Sequence, residues 1–172
     1  MRFSKPLATL AAASALFTGS TVAASATTAQ PDFRAEALAS GLSATQATQL
    51  QQRVDKVLAA QPGGRQVSAD KIQYDGGNVT FFPEGAKKSA KAAALDCDYG
   101  WLCMNVRGTV FKLYKCQKWY ATNWTGDGDF VNNQTPGTVA RFYNQDDSVR
   151  WTSTAYEAGR ASWGPIWAVK PC

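Results

Sequence analysis

Histidine is absent from the 172 residues, and no other absence removes as much chemistry. Without it there is no Ser–His or Cys–His nucleophilic pair, no imidazole general base and no zinc site of the His-containing kinds. Charge is sparse as well. Lys and Arg number 18 against 13 acidic residues, a formal +5, of which Arg2 and Lys5 carry two. The basic residues form no stripe, and their local run, Lys87, Lys88 and Lys91, sits in an Ala/Ser-rich stretch, so nucleic acid is not an expected partner. No apolar run approaches the roughly 20 residues that a membrane-spanning helix needs. Cysteine and tryptophan are missing from the first 96 positions and concentrated after them.

What is present begins with a three-part pattern. Arg2 and Lys5 precede an apolar run from Leu7 to Phe17, followed by the small-residue triplet Ala24-Ser25-Ala26. This is the layout of a secretory signal peptide over residues 1–26, with cleavage expected after Ala26. The expected location of the mature chain is extracellular.

Residues 27–41 are Ala/Thr/Ser-rich without sustained period and read as a loosely ordered lead-in. A helix is expected next. Ser43 and Gln46 make a capping-box pair, Leu42 stands at the staple position, and Ala47, Leu50, Val54, Val57 and Leu58 recur at helical spacing until Pro62-Gly63-Gly64. Lys71–Tyr74 and Val79–Phe82 then flank Asp75-Gly76-Gly77-Asn78 as a β-hairpin, which is marginal alone and must pack on the helix, the rest of the chain or a partner. Residues 83–95 read as a tether, closing an N-terminal part that spans 27–95.

From Asp96 onward, short β-prone runs alternate with turn signals: 101–106, 109–114, 130–132, 139–143, 149–153 and 166–169. They leave no room for a helix and predict a small antiparallel sandwich over 96–172. So small a core needs cross-links. Cys97, Cys103, Cys116 and Cys172 allow three pairings. Cys97 with Cys103 is favoured because Asp98-Tyr99-Gly100 can fold back between them, leaving Cys116 with Cys172; Cys103 with Cys116 is the alternative.

At these residues the chain resembles the bacterial secreted proteins of peptidase inhibitor family thirty-six. The carriers are Cys97-x₅-Cys103 with its Tyr-Gly-Trp-Leu-Cys core, Asn123-Trp124-Thr125-Gly126, Asn132-Asn133-Gln134-Thr135, Val149-Arg150-Trp151-Thr152-Ser153 and the terminal Cys172. The resemblance covers 96–172, with the segment from Gln61 to Phe82 as an extension. It implies a βγ-crystallin-like double Greek key. Trp119-x₄-Trp124-x-Gly126 is similar to the aromatic signature of that fold, and Trp101-x₄-Val106-x-Gly108 echoes it. Some crystallin-like domains bind calcium through an Asn/Asp-rich run, but here Pro136 takes the place of the hydroxyl ligand. Asp127 and Asp129, read as part of a Gly-rich turn, are the remaining calcium candidates.

The resemblance implies an inhibitor of extracellular proteases, in particular metalloproteases, without assigning an inhibitory loop. The alternatives are a toxin-like or antimicrobial protein and a binder of envelope carbohydrate, although the tryptophans of so small a sandwich read chiefly as core. A catalyst would have to work with carboxylates alone, from Asp127, Asp129, Asp146, Asp147 and Glu157. Asp146-Asp147 reads better as a hairpin turn, and the chain is read as a non-enzymatic monomer without cofactor.

Overall fold

A computed structural model describes residues 32–83, 95–121 and 124–172. The leader expected over 1–26 lies outside the described residues, as do lead-in residues 27–31 and the tether apart from Pro83 and Leu95. Within them the protein is mainly β: eleven strands in two antiparallel sheets, two helices and two disulfides.

The expected helix is α2, Ala44–Ala60. Both halves of its capping box form, since Gln46 N–H donates to Ser43 Oγ and Ser43 N–H to Gln46 Oε1. Ala47, Leu50 and Val54 make its buried face. A second helix, α1 (Arg34–Ala39), stands where the sequence read as irregular. It has no side-chain cap, and its buried residue, Ala37, joins the common core. So short a helix is held by packing and not by its own propensity.

The hairpin is β2 (Lys71–Tyr74) with β3 (Gly77–Phe81), preceded by an unforeseen β1 (Arg65–Ser68). Its turn is tighter than expected. Tyr74 pairs with Gly77, so Asp75-Gly76 alone makes the bend and Gly77-Asn78 belongs to β3. Glycine is required at 77, where a Cβ would press on the Lys112 carbonyl oxygen. The hairpin is supported twice: α2 lies on β2 and β3, and β3 pairs along its length with the strand Thr109–Leu113. The sheet therefore runs across residue 96, where the composition changes. Arg53 of α2 fastens the same junction, donating to the carbonyls of Phe82 and Gly108 and to Thr109 Oγ1.

Beyond residue 96 come β4 (Trp101–Val106), β5 (Thr109–Leu113), β6 (Trp119–Tyr120), β7 (Asp127–Asn133), β8 (Val139–Tyr143), β9 (Val149–Thr154), β10 (Glu157–Ser162) and β11 (Ala168–Lys170). Two four-strand runs, β4–β7 and β8–β11, are interleaved. Each gives its third strand to the other's sheet, so the orders are β1-β2-β3-β5-β4-β7-β10 and β6-β11-β8-β9. Strands β6 and β10 were not foreseen, and β7 begins three residues before the expected 130. Asp127 and Asp129 consequently lie on a strand, paired with Ser162 and Arg160 of β10, and not in a turn. A glycine-rich segment extends here because Gly128 lets strand β4 approach. A Cβ at 128 would collide with the Asn105 carbonyl oxygen, which instead accepts from the indole N–H of the fully buried Trp163.

One hydrophobic cluster runs from Ala37 and α2 through Ile72, Val79 and Phe81 to Leu102, Met104, Phe142 and Val169. Inside it, Asn132, Gln134 and Ser153 form a buried polar link. Asn132 donates to the carbonyl and hydroxyl of Ser153, and Gln134 donates to Asn132 Oδ1 and the Pro171 carbonyl. The bonds from Asn132 to Ser153 join strands β7 and β9 of the two sheets, and that from Gln134 to Pro171 ties in the C-terminus, so satisfied buried amides fix the position of one sheet on the other.

Candidate functional site

Cys97 and Cys103 are bonded, with Cα atoms 5.8 Å apart, and Cys116 is bonded to Cys172. The first bridge closes a short loop whose second limb enters β4, where Cys103 is fully buried. Asp98-Tyr99-Gly100 turns back as expected: Trp101 N–H donates to the Asp98 carbonyl, and Gly100 takes φ +91°, a conformation costly for other residues. The tip is Tyr99, whose relative exposure of 68 % is, with that of Tyr156 at 67 %, the greatest among the large apolar and aromatic side chains of the described residues.

Three contacts outside the loop make it stiff. Asn133 at the end of β7 holds both limbs, its carbonyl accepting from Gly100 N–H at 2.7 Å and its side-chain amide donating to the Cys97 carbonyl at 2.9 Å. Trp101 meets Tyr114 edge-on, ring centroids 4.7 Å apart. Lys112, opposite Cys103 on β5, reaches Asp98 at 3.8 Å. A covalent closure, a two-point amide clamp and an aromatic brace thus present one exposed tyrosine, with Tyr114 half-exposed beside it.

No protein-family model, no curated protein and no solved structure matches this chain.

The residues of the aromatic signature are structural. Trp119 is buried edge-on against Tyr74, and Trp124 is buried between Phe111 and Trp163. Gly126 takes φ +71° and its carbonyl accepts from Trp163 N–H. The turn glycine and its two aromatics thus hold β6 and the start of β7 on the core.

The oxygen-rich segments are occupied by structural tasks. Asn132 and Gln134 spend their amides inside the sandwich, and Asn133 spends its amide on the loop. Asp129 faces Arg160 at 3.7 Å, and among the described residues no group of three or more His, Cys, Asp or Glu side chains is placed to hold a metal. Asp146 and Asp147 sit in the β8–β9 turn as expected. Asp146 accepts from the hydroxyl and N–H of Ser148, which holds its carboxyl below the usual range, opposite to what a general acid requires. Asp147 pairs with Lys118. Glu157 begins β10 and faces Asn132 across the ladder.

The sequence pointed to the turn at Asp98–Gly100 but not to its clamp. Asn133 had a place in the resemblance as part of an oxygen-rich run, whereas its function in the structure is to hold Cys97 and Gly100.

Proposed function

We propose that this chain is a secreted peptidase inhibitor of extracellular metalloproteases, that its active element is the Asp98-Tyr99-Gly100 loop, and that it acts by binding and not by catalysis. The observation that carries this reading is the combination of an exposed Tyr99 with a loop immobilised at both limbs by the disulfide and by Asn133. A protruding segment already held in one conformation has little ordering cost left when it enters a cleft. Tyrosine is a suitable anchor, since it brings a large contact area with few rotatable bonds. The two bridges suit an oxidising, extracellular setting.

The interleaved sheets support the finer fold reading as well. Two four-strand motifs that exchange their third strands, with glycine at positive φ and aromatics packed beneath, match what the resemblance implies for a crystallin-like double Greek key.

The test is a titration of the oxidised protein against a thermolysin-type metalloprotease, a subtilisin-type serine protease and a papain-type cysteine protease, following peptide cleavage. Stoichiometric loss of metalloprotease activity is expected, weakened at least tenfold by Tyr99→Ala and abolished by reduction and alkylation. Absence of inhibition at micromolar protein overturns the reading. Inhibition that Tyr99→Ala leaves unchanged removes the loop from it.

A further inference from the structure

Among the described residues β10 ends one sheet and β9 ends the other. Between them lies an open groove of about 340 Å³, whose lining includes Phe130, Arg150, Trp151, Glu157, Arg160 and Ser162. This volume falls at the small end of the roughly 300–1,000 Å³ of ligand sites, about that of one or two sugar rings.

Its apolar lining is rigid. Trp151 is stacked on the buried Phe142 with centroids 3.7 Å apart and planes 7° from parallel, and Phe130 meets it at 5.2 Å. Trp151 remains partly exposed, an unusual position for an aromatic so firmly fixed. The lining charges are two guanidinium groups and one carboxylate. Arg150 has no carboxylate partner among the described residues; its contact is a neutral one, to Asn144 Oδ1 at 3.3 Å. Arg160 has a loose, solvent-exposed pairing with Asp129. Such a surface pair contributes little and gives way easily to a better-placed anion. Glu157 and Ser162 add an acceptor and a hydroxyl on the same strand.

We propose that this groove binds an acidic sugar, a pyranose ring bearing a carboxylate within a polysaccharide. The ring lies against Trp151, which the buried Phe130 braces, Glu157 and Ser162 exchange hydrogen bonds with its hydroxyls, and the Arg150 and Arg160 forks receive the carboxylate. This would hold the protein on an anionic polysaccharide through residues none of which belongs to the Cys97–Cys103 loop, and it does not depend on inhibition.

The experiment is a titration of the ¹⁵N-labelled oxidised protein with trigalacturonate, read from amide and indole shifts. The fully methyl-esterified trisaccharide and triglutamate serve as comparison probes. Shifts centred on Arg150, Trp151 and Arg160 are expected, with affinity falling roughly tenfold in Arg150→Gln and in Arg160→Gln, the worth of one charge-assisted contact. Lys56→Gln, which removes an exposed charge on α2, should leave it unchanged. Esterification should weaken binding by a similar factor, and triglutamate should bind far more weakly. No shifts up to about 10 mM, a level that reveals even the weakest ligand binding, would overturn the proposal. So would shifts centred elsewhere, equal binding of the ester, or equal binding of triglutamate. Both arginines are exposed, and the spectrum itself reports whether each variant is folded.

Discussion

The side-chain amide of Asn133 donates to the carbonyl of Cys97 at 2.9 Å, across 36 positions of sequence. Because the Asn133 carbonyl also accepts from Gly100, one residue on β7 sets both ends of the loop that Tyr99 crowns.

Asn133→Ala should therefore separate rigidity from contact. The disulfide and Tyr99 stay, but the first limb loses its hydrogen bond, worth about 1 kcal/mol net. The expected result is inhibition weakened about fivefold at most, chiefly through faster dissociation, as is usual within one interface. Stopped-flow and jump-dilution measurements would check this. An unchanged dissociation rate would show that the clamp is irrelevant to binding.

The two disulfides should divide their labour. Cys97–Cys103 spans 6 positions and Cys116–Cys172 spans 56. On the chain-entropy account, losing the first costs about 2 kcal/mol and losing the second about 4 kcal/mol. Paired Cys→Ser variants, followed by urea unfolding and by inhibition assays, should show the larger stability loss for 116/172 and the larger functional loss for 97/103. If the variant lacking Cys97–Cys103 inhibits like the native protein, the loop does not act as proposed.

Sequence reasoning worked best where the cause was local. The capping box of α2, the β2–β3 hairpin, the β4–β5 pair and the turn between Cys97 and Cys103 all rest on neighbouring residues, and all formed. It failed where the cause was distant. Strand β10 carries Glu-Ala-Gly-Arg-Ala-Ser and is almost wholly exposed, so it has no apolar alternation to reveal it; pairing with β7 creates it. Strand β1 buries Gln66, a polar residue made acceptable by its amide contacts with Gln51 and the Ser68 carbonyl. The Asp127-Gly128-Asp129 stretch looked like a turn because glycine's use in close approach leaves the same trace as its use in bending. The groove between β9 and β10 was illegible for the same reason, since its walls come from strands whose facing is set only by the exchange of β6 and β10 between sheets.

Gly128 gives the packing of β7 on β4 a direct test. Alanine there meets the Asn105 carbonyl oxygen and the Trp163 indole, whereas a Cβ at Gly164 meets nothing within 4 Å. Gly128→Ala should cost roughly 3 kcal/mol or more, as overpacking against backbone leaves little room to relax. Gly164→Ala should stay within about 0.5 kcal/mol of the native protein. Thermal unfolding of both variants would check the contrast; equal melting temperatures would contradict the close packing of β7 on β4.

Tyr74 supplies a pH-dependent prediction with a definite sign. Its ring is buried against Trp119, and neither its hydroxyl nor the Trp119 indole N–H has a hydrogen-bond partner among the described residues. Burial pushes the phenol up from 10.0 to about 12. A raised folded-state value means that the native state keeps a proton the unfolded chain gives up. Stability from this group is therefore constant below pH 10 and declines between about 10 and 12, by about 1.4 kcal/mol per pH unit at the steepest. Tyr74→Phe removes both the titration and the unpartnered hydroxyl. The variant should equal or exceed the native protein by about 1 kcal/mol at pH 8, and the difference should widen by about 1.4 kcal/mol at pH 11. Parallel urea titrations at the two pH values cancel every other titrating group. A gap that does not widen would mean that the Tyr74 hydroxyl reaches solvent or a partner.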